Sequence, residues 1–274
     1  MLIGIMQGRL LPKVNGKFQA FPGVNWKEEF NIAAKIGIDL IEFIFDEDGD
    51  NINNNPLLNE RGLRDIIEIS YSSGVNVRSV CADYFMKYPF YDPNNFGNIK
   101  LMKTLIKNLN QIHVFEMVLP LVDESKLDTN IKRINLIKNL NEIKQTLADF
   151  NLTICLETDL TYSENKELIN ELDTEYIKLN YDTGNSASLG FNTFDELKNN
   201  SNIISSYHIK DRKFNQGSVV LGTGDYNFEI FFNLIKNKII SPEYLIMQTF
   251  RDDEGKKIFK KQFEWFKDKI KDLD

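Results

Sequence analysis

Short runs rich in β-branched and aromatic residues alternate along the chain with longer stretches whose apolar positions recur at helical spacing. The runs predict strands near 2–7 (LIGIMQ), 40–45 (LIEFIF), 75–82 (VNVRSVCA), 112–119 (IHVFEMVL), 152–157 (LTICLE), 176–182 (YIKLNYD), 205–210 (SSYHIK) and 244–249 (YLIMQT). Helices are predicted near 26–37, 60–73, 97–110, 130–149, 164–172, 193–199, 227–238 and 255–271. Capping residues mark several of their starts: Asn25, Asn59, Asp128 or Thr129, Asn192 or Thr193, and Asp225. One strand begins about every 35 residues, the length of a strand plus its crossover helix in a parallel βαβ unit.

Eight such units, each strand followed by a helix, predict an α/β chain folded as a single (β/α)8 TIM barrel, with residues 1–274 as one domain. A doubly wound sheet with a small second domain is the competitor. It lacks support after the first strand, where Ile3-Gly4-Ile5-Met6-Gln7-Gly8 has no third glycine at dinucleotide-loop spacing. The NINNNP stretch at 51–56 and the YPFYDPNNFG stretch at 88–97 follow the second and third strands and are expected as rims of a pocket.

Composition narrows the chemistry. The chain is 42% hydrophobic and 27% charged, which excludes disordered and collagen-like classes. Lys and Arg total 33 against 40 acidic residues, and the net charge of -7 disfavours nucleic acid and anionic membrane as partners. Two Cys (Cys81, Cys155) and two His (His113, His208) exclude disulfide scaffolds, zinc fingers and a three-His centre, so any metal must lean on oxygen ligands. The N-terminal stretch has no basic leader region and no run of about 18 apolar residues occurs. A cytoplasmic protein with reduced, buried thiols is expected.

In a barrel, reactive groups gather at the C-terminal ends of the strands. That rule selects Glu157, Asp182, His208 and Gln248 from the fifth to eighth strands. Two carboxylates, an imidazole and an amide oxygen suit Mn2+ or Mg2+, with Co2+ or Zn2+ admitted through the imidazole. His113, at the start of the fourth strand, lies at the wrong end and reads as structural. Lys210 and Arg212 alternate after His208 and, with Arg9 and Arg251, are candidates to bind substrate, although Asp211 could pair with either of the first two. Gly222-Thr223-Gly224 is placed where barrels often cradle phosphate, but Asp225 beside it would compete with an anion. Phe43, Phe45, Tyr84, Phe85, Tyr88, Phe90 and Tyr91 are expected mainly as packing, with one or two walling a sugar.

The segments IGIMQGRL, YDTGNSASLG, SYHIKDR and LGTGDYNFEIF resemble the sugar phosphate isomerase/epimerase family, the xylose isomerase-like barrels that also include ketose 3-epimerases and the endonuclease IV type. The resemblance spans essentially the whole chain. It implies a small sugar or sugar phosphate as substrate, a metal-stabilised enediolate, and ligands at Glu157, Asp182 and His208 followed by a fourth carboxylate. Gln248 stands at that fourth position and departs from the pattern. In the family's epimerases the first and fourth carboxylates exchange protons on opposite faces of the substrate, and a neutral amide cannot take a proton. Glu157 is therefore expected to be both ligand and base, moving a proton on one face as an aldose-ketose isomerase does. Glu42 or Asp83 are the candidates to replace the missing acid. Rival readings are a lyase or dehydratase working through the same enediolate, and a barrel that binds sugar without catalysis. An endonuclease IV-like activity is disfavoured by two histidines and the negative charge. Barrels of this family often pair, so a homodimer is allowed for, with no interface legible in the sequence.

Overall fold

A computed structural model describes residues 1–47, 49 and 51–271. Eight parallel strands close into a barrel: β1 (Leu2–Met6), β2 (Leu40–Ile44), β3 (Ser79–Cys81), β4 (Glu116–Leu121), β5 (Thr153–Thr158), β6 (Ile177–Asp182), β7 (Ile204–Ile209) and β8 (Tyr244–Met247), with β8 pairing back onto β1. Both faces of each strand are covered, by barrel interior or by helices, which is why β2 reads LIEFI with every position buried. At the closing seam Gly4 registers against Leu40 on one side and Ile246 on the other. A Cβ there would run into Ile246 Cδ1, so glycine lets the first strand approach both neighbours.

The eight predicted helices are present within a few residues of their expected ends. Asn59, Thr129 and Asn192 cap theirs through side-chain oxygens, as expected. Asn25 makes no side-chain cap, and the helix Phe228–Lys236 is capped by Asn227 instead of Asp225, whose carboxylate accepts from Phe214 N at 2.8 Å. The helix Tyr162–Leu172 carries a reciprocal Thr161–Glu164 capping box.

Two strands start later than the sequence suggests. Residues 75–78 lead into β3 with only an isolated bridge between Asn76 and Leu40. The fourth strand begins at Glu116 because His113 adopts a left-handed conformation, φ 58°, in the turn ending the preceding helix. Two short helices, Tyr84–Lys87 and Thr183–Leu189, and a ribbon pairing Asp211–Arg212 with Ser218–Val219 were not predicted; all three lie just after strand ends. No helix among the described residues is long and apolar enough to cross a membrane.

Candidate functional site

Asp182 closes β6 and caps the helix Thr183–Leu189, its Oδ1 accepting from Gly184 N at 2.7 Å and Asn185 N at 2.9 Å. Those bonds aim Oδ2 away from the helix, toward Lys210 Nζ at 2.8 Å and His208 Nδ1 at 4.0 Å. His208 registers with Asp182 on the neighbouring strand β7, so their side chains share a face of the barrel. Glu157 on β5 places Oε2 3.5 Å from His208 Nδ1, while its Oε1 accepts from Asn185 Nδ2 at 2.8 Å. Asn185 Oδ1 in turn accepts from Arg212 Nη1 at 3.1 Å. One ligand atom from each of Glu157, Asp182 and His208 lies within 4.8 Å of the others, and all three residues are buried.

The imidazole is oriented from behind. Its Nε2 lies 2.7 Å from Glu42 Oε1, and Ser79 Oγ donates to Glu42 Oε2 at 2.6 Å. A carboxylate only accepts, so Nε2 carries a proton toward Glu42 and Nδ1 faces Glu157 and Asp182, the orientation that suits a metal-ligating histidine once a cation takes the place of the Nδ1 proton. Burial opposes charge on His208, but Glu42 and Glu157 together outweigh it and carry the imidazole up to about 10. Burial likewise works against the Asp182 carboxylate, and Lys210 and His208 overcome it, holding that carboxyl below its usual range.

Two glutamines complete the wall. Arg9 Nη2 donates to Gln19 Oε1 at 2.8 Å, which forces Gln19 Nε2 the other way, onto Asp83 Oδ2 at 2.7 Å. Gln248 Nε2 also donates to Gln19 Oε1, at 3.1 Å, leaving Gln248 Oε1 turned inward. Gln248 Oε1 and His208 Nδ1 are buried without a hydrogen-bond partner. Two carboxylates, an imidazole nitrogen and the unpartnered amide oxygen of Gln248 fit a hard or borderline divalent cation. Buried acceptors without donors are costly otherwise.

A cavity of about 740 Å³ opens over this cluster, lined by Glu157, Gln248, Lys210, Arg212, Asn185 and Asp83 together with Phe18, Met86, Pro120 and Val122. Its rim carries Lys17 and Lys87 against Asp46, Glu47, Asp123 and Glu124, and Lys87 is paired with Glu47 at 2.7 Å. The stem of Lys210 passes over Gly184, where an added Cβ would stand 2.8 Å from Lys210 Cγ.

Several expectations are corrected. Glu42 does not face the cavity; it is fully buried beneath His208. Arg9 and Arg251 are buried and spend their guanidinium groups largely on backbone carbonyls, Arg9 on Thr249 and Phe18, Arg251 on Gly8 and Leu11. Asp211 pairs with neither Lys210 nor Arg212. It accepts from the amides of Gly222, Gly224 and Tyr226, so the glycine loop has no free amides at those positions to offer a phosphate. None of the seven aromatic residues Phe43, Phe45, Tyr84, Phe85, Tyr88, Phe90 and Tyr91 lines the cavity, and Phe18 supplies the aromatic wall. His113 lines a separate hollow with Glu243 and Tyr244, at the opposite end of the barrel, as expected.

Sequence reasoning overlooked Asn185, Gln19 and Phe18. Asn185 carried a usable signal, since three residues after Asp182 on a helix start puts it on the ligand side. Gln19 and Phe18 belong to the long segment after β1, where no periodicity fixes direction.

Residues 30–269 match the family model described as the xylose isomerase-like TIM barrel. L-ribulose-5-phosphate 3-epimerase UlaE of Escherichia coli (strain SMS-3-5 / SECEC) is 24% identical over 234 residues, 82% of either chain. The structure of D-psicose 3-epimerase with D-tagatose from Clostridium cellulolyticum H10 matches all of both chains with a TM-score of 0.77 at 13% identity. That of the IOLI protein with a binding zinc atom covers 100% of this chain and 99% of its own, with a TM-score of 0.76 at 16% identity. At such identities the structural likeness concerns the fold.

Proposed function

The chain belongs to the xylose isomerase-like TIM barrel family, and from that membership we propose that it is a divalent-metal-dependent isomerase or epimerase of a small sugar or sugar phosphate. The observation that carries the reading is the buried cluster of Glu157, Asp182 and His208, whose Glu157 lines one cavity with Gln248 and its unpaired Oε1. The relative acting on L-ribulose 5-phosphate supports a ketose or its phosphate as the substrate class. The cavity volume falls in the range of small-ligand sites.

Glu157, Asp182, His208 and Gln248 would hold the cation, Mn2+ or Mg2+ in first place and Co2+ or Zn2+ through the imidazole. A divalent cation held there would supply Lewis-acid polarisation of the substrate carbonyl. Glu157 removes the proton beside the carbonyl, its carboxylate held in place by Asn185. Lys210 and Arg212 face the cavity and orient the hydroxyls or an anionic group of the substrate. Residues 1–274 act as one barrel domain, in a cytoplasm that keeps the buried Cys81 and Cys155 reduced.

The test is a screen of ketoses and ketose phosphates in deuterated water with added Mn2+, reading which carbon exchanges its proton. Glu157→Gln is expected to abolish exchange and turnover while metal still binds; undiminished activity would overturn the assignment. Gln248 also favours a second reading, a barrel that binds sugar without turnover. Absence of bound metal, with no gain on adding Mn2+, would select it.

A further inference from the structure

Gln248 cannot exchange a proton, yet its amide is the end of a hydrogen-bonded chain that terminates on a carboxyl group in the same cavity. Gln248 Nε2 donates to Gln19 Oε1, and Gln19 Nε2 donates to Asp83 Oδ2. Arg9, buried and able only to donate, fixes the direction of the chain by occupying Gln19 Oε1. Glu157 belongs to a separate chain, through Asn185 to Arg212. Of the carboxyl groups that line the cavity, Glu157 and Asp83 are thus each set by a separate network, apart from the rim acids Asp46, Glu47, Asp123 and Glu124.

We propose that Asp83 is the second proton-exchanging residue of this site, standing in for the acid absent at position 248, and that Gln19 positions it. The inference rests on the reading of the site as a sugar isomerase or epimerase, and it makes the chemistry epimerisation. Glu157 takes the proton from the carbon beside the carbonyl, and the C–H electron pair enters the enediolate. Protonated Asp83 then delivers its proton to the opposite face of that carbon, the carbonyl re-forms, and Asp83 is left as carboxylate. Exchange with solvent returns the proton of Glu157 and reprotonates Asp83, so no net proton or electron is consumed. The state of Asp83 suits both duties: burial, opposed by hydrogen bonds from Cys81 and Gln19, pushes its carboxyl up to about 7.

The decisive comparison uses the full-length Mn2+-loaded protein in deuterated water with L-ribulose 5-phosphate and D-psicose as probes. With Asp83→Asn, recovered substrate is expected to gain deuterium with its configuration kept, because Glu157 still works on its own face, while epimer formation falls at least about 100-fold. Adding Gln248→Glu to that variant is expected to restore epimer formation. Epimer formation by Asp83→Asn within threefold of the unaltered protein overturns the inference. If Asp83→Asn loses both exchange and epimer, the double variant decides: recovery upholds Asp83 and failure to recover overturns it. Exchange by the unaltered protein that yields aldose and no epimer overturns the role of Asp83 while leaving the isomerase reading intact. No exchange with either probe or with any other ketose in the screen removes both.

Discussion

At the scale of single residues, the site is controlled by groups that never touch its contents. Glu42 is out of reach of the cavity, yet it decides which nitrogen of His208 faces Asp182 and Glu157. Glu42→Gln removes the charge behind the imidazole and should weaken Mn2+ binding about 10- to 100-fold by titration calorimetry, with the fold intact by circular dichroism. Asn185, by contrast, lines the cavity and also holds Glu157 through its Oε1. Asn185→Ala should lower kcat more than it changes metal affinity. The four candidate ligands were legible in the sequence because barrel topology sends strand-end residues to one place. Glu42 was legible as an acid of the second strand and still misassigned, since strand alternation tells which face a side chain takes but not how deep it sits. Lys210 and Arg212 line the cavity although β7 ends at Ile209 and Arg212 lies on the ribbon that follows it. The direction of Asp211, into the glycine loop, depends on the ribbon that follows and could not be read locally.

At the scale of elements, the segment after β1 is held by an acid on the following helix. Glu29 Oε2 accepts from Gly8 N at 2.6 Å and Oε1 from Leu10 N at 2.9 Å, which fixes the start of the segment that carries Gln19. Glu29→Ala leaves both amides without these partners in a buried setting and should cost about 1–3 kcal/mol in denaturant unfolding. Burial, opposed by the two amide bonds, raises Glu29 from 4.5 to about 7. The folded chain therefore binds this proton more tightly than the unfolded one. Its contribution to stability is complete below about pH 4.5 and is lost as pH rises through 7. Unfolding measured at pH 5 and pH 8 should show that decline, and Glu29→Gln should remove this residue's share of it. The helices themselves were readable from periodicity and caps. Thr183–Leu189 was not, because its sequence, TGNSASL, has no apolar stripe and exists as a helix through the Asp182 cap.

At the scale of the whole molecule, closure of the barrel and completion of the site are one event. Eight strands at near-regular spacing made the barrel predictable, whereas the seam between β8 and β1 depends on contacts far apart in sequence. Arg9 donates to Thr249 O, and Arg251 donates to Gly8 O and Leu11 O, so the two ends of the sheet are laced together at the mouth. A cation bound to the finished site stabilises the folded state by mass action. Mn2+ at about 100 times its Kd should add about 2.7 kcal/mol, read as a rise in Tm that Asp182→Asn diminishes. The seam also sets an order of events during synthesis. Gln248 reaches Gln19 only once the last strand has been made, so a nascent chain still on the ribosome at residue 220 carries Glu157, Asp182 and His208 but not Gln248. A fragment that ends before β8 leaves β1 and β7 without the strand that joins them, so two open parallel edges face solvent where the closed barrel has none.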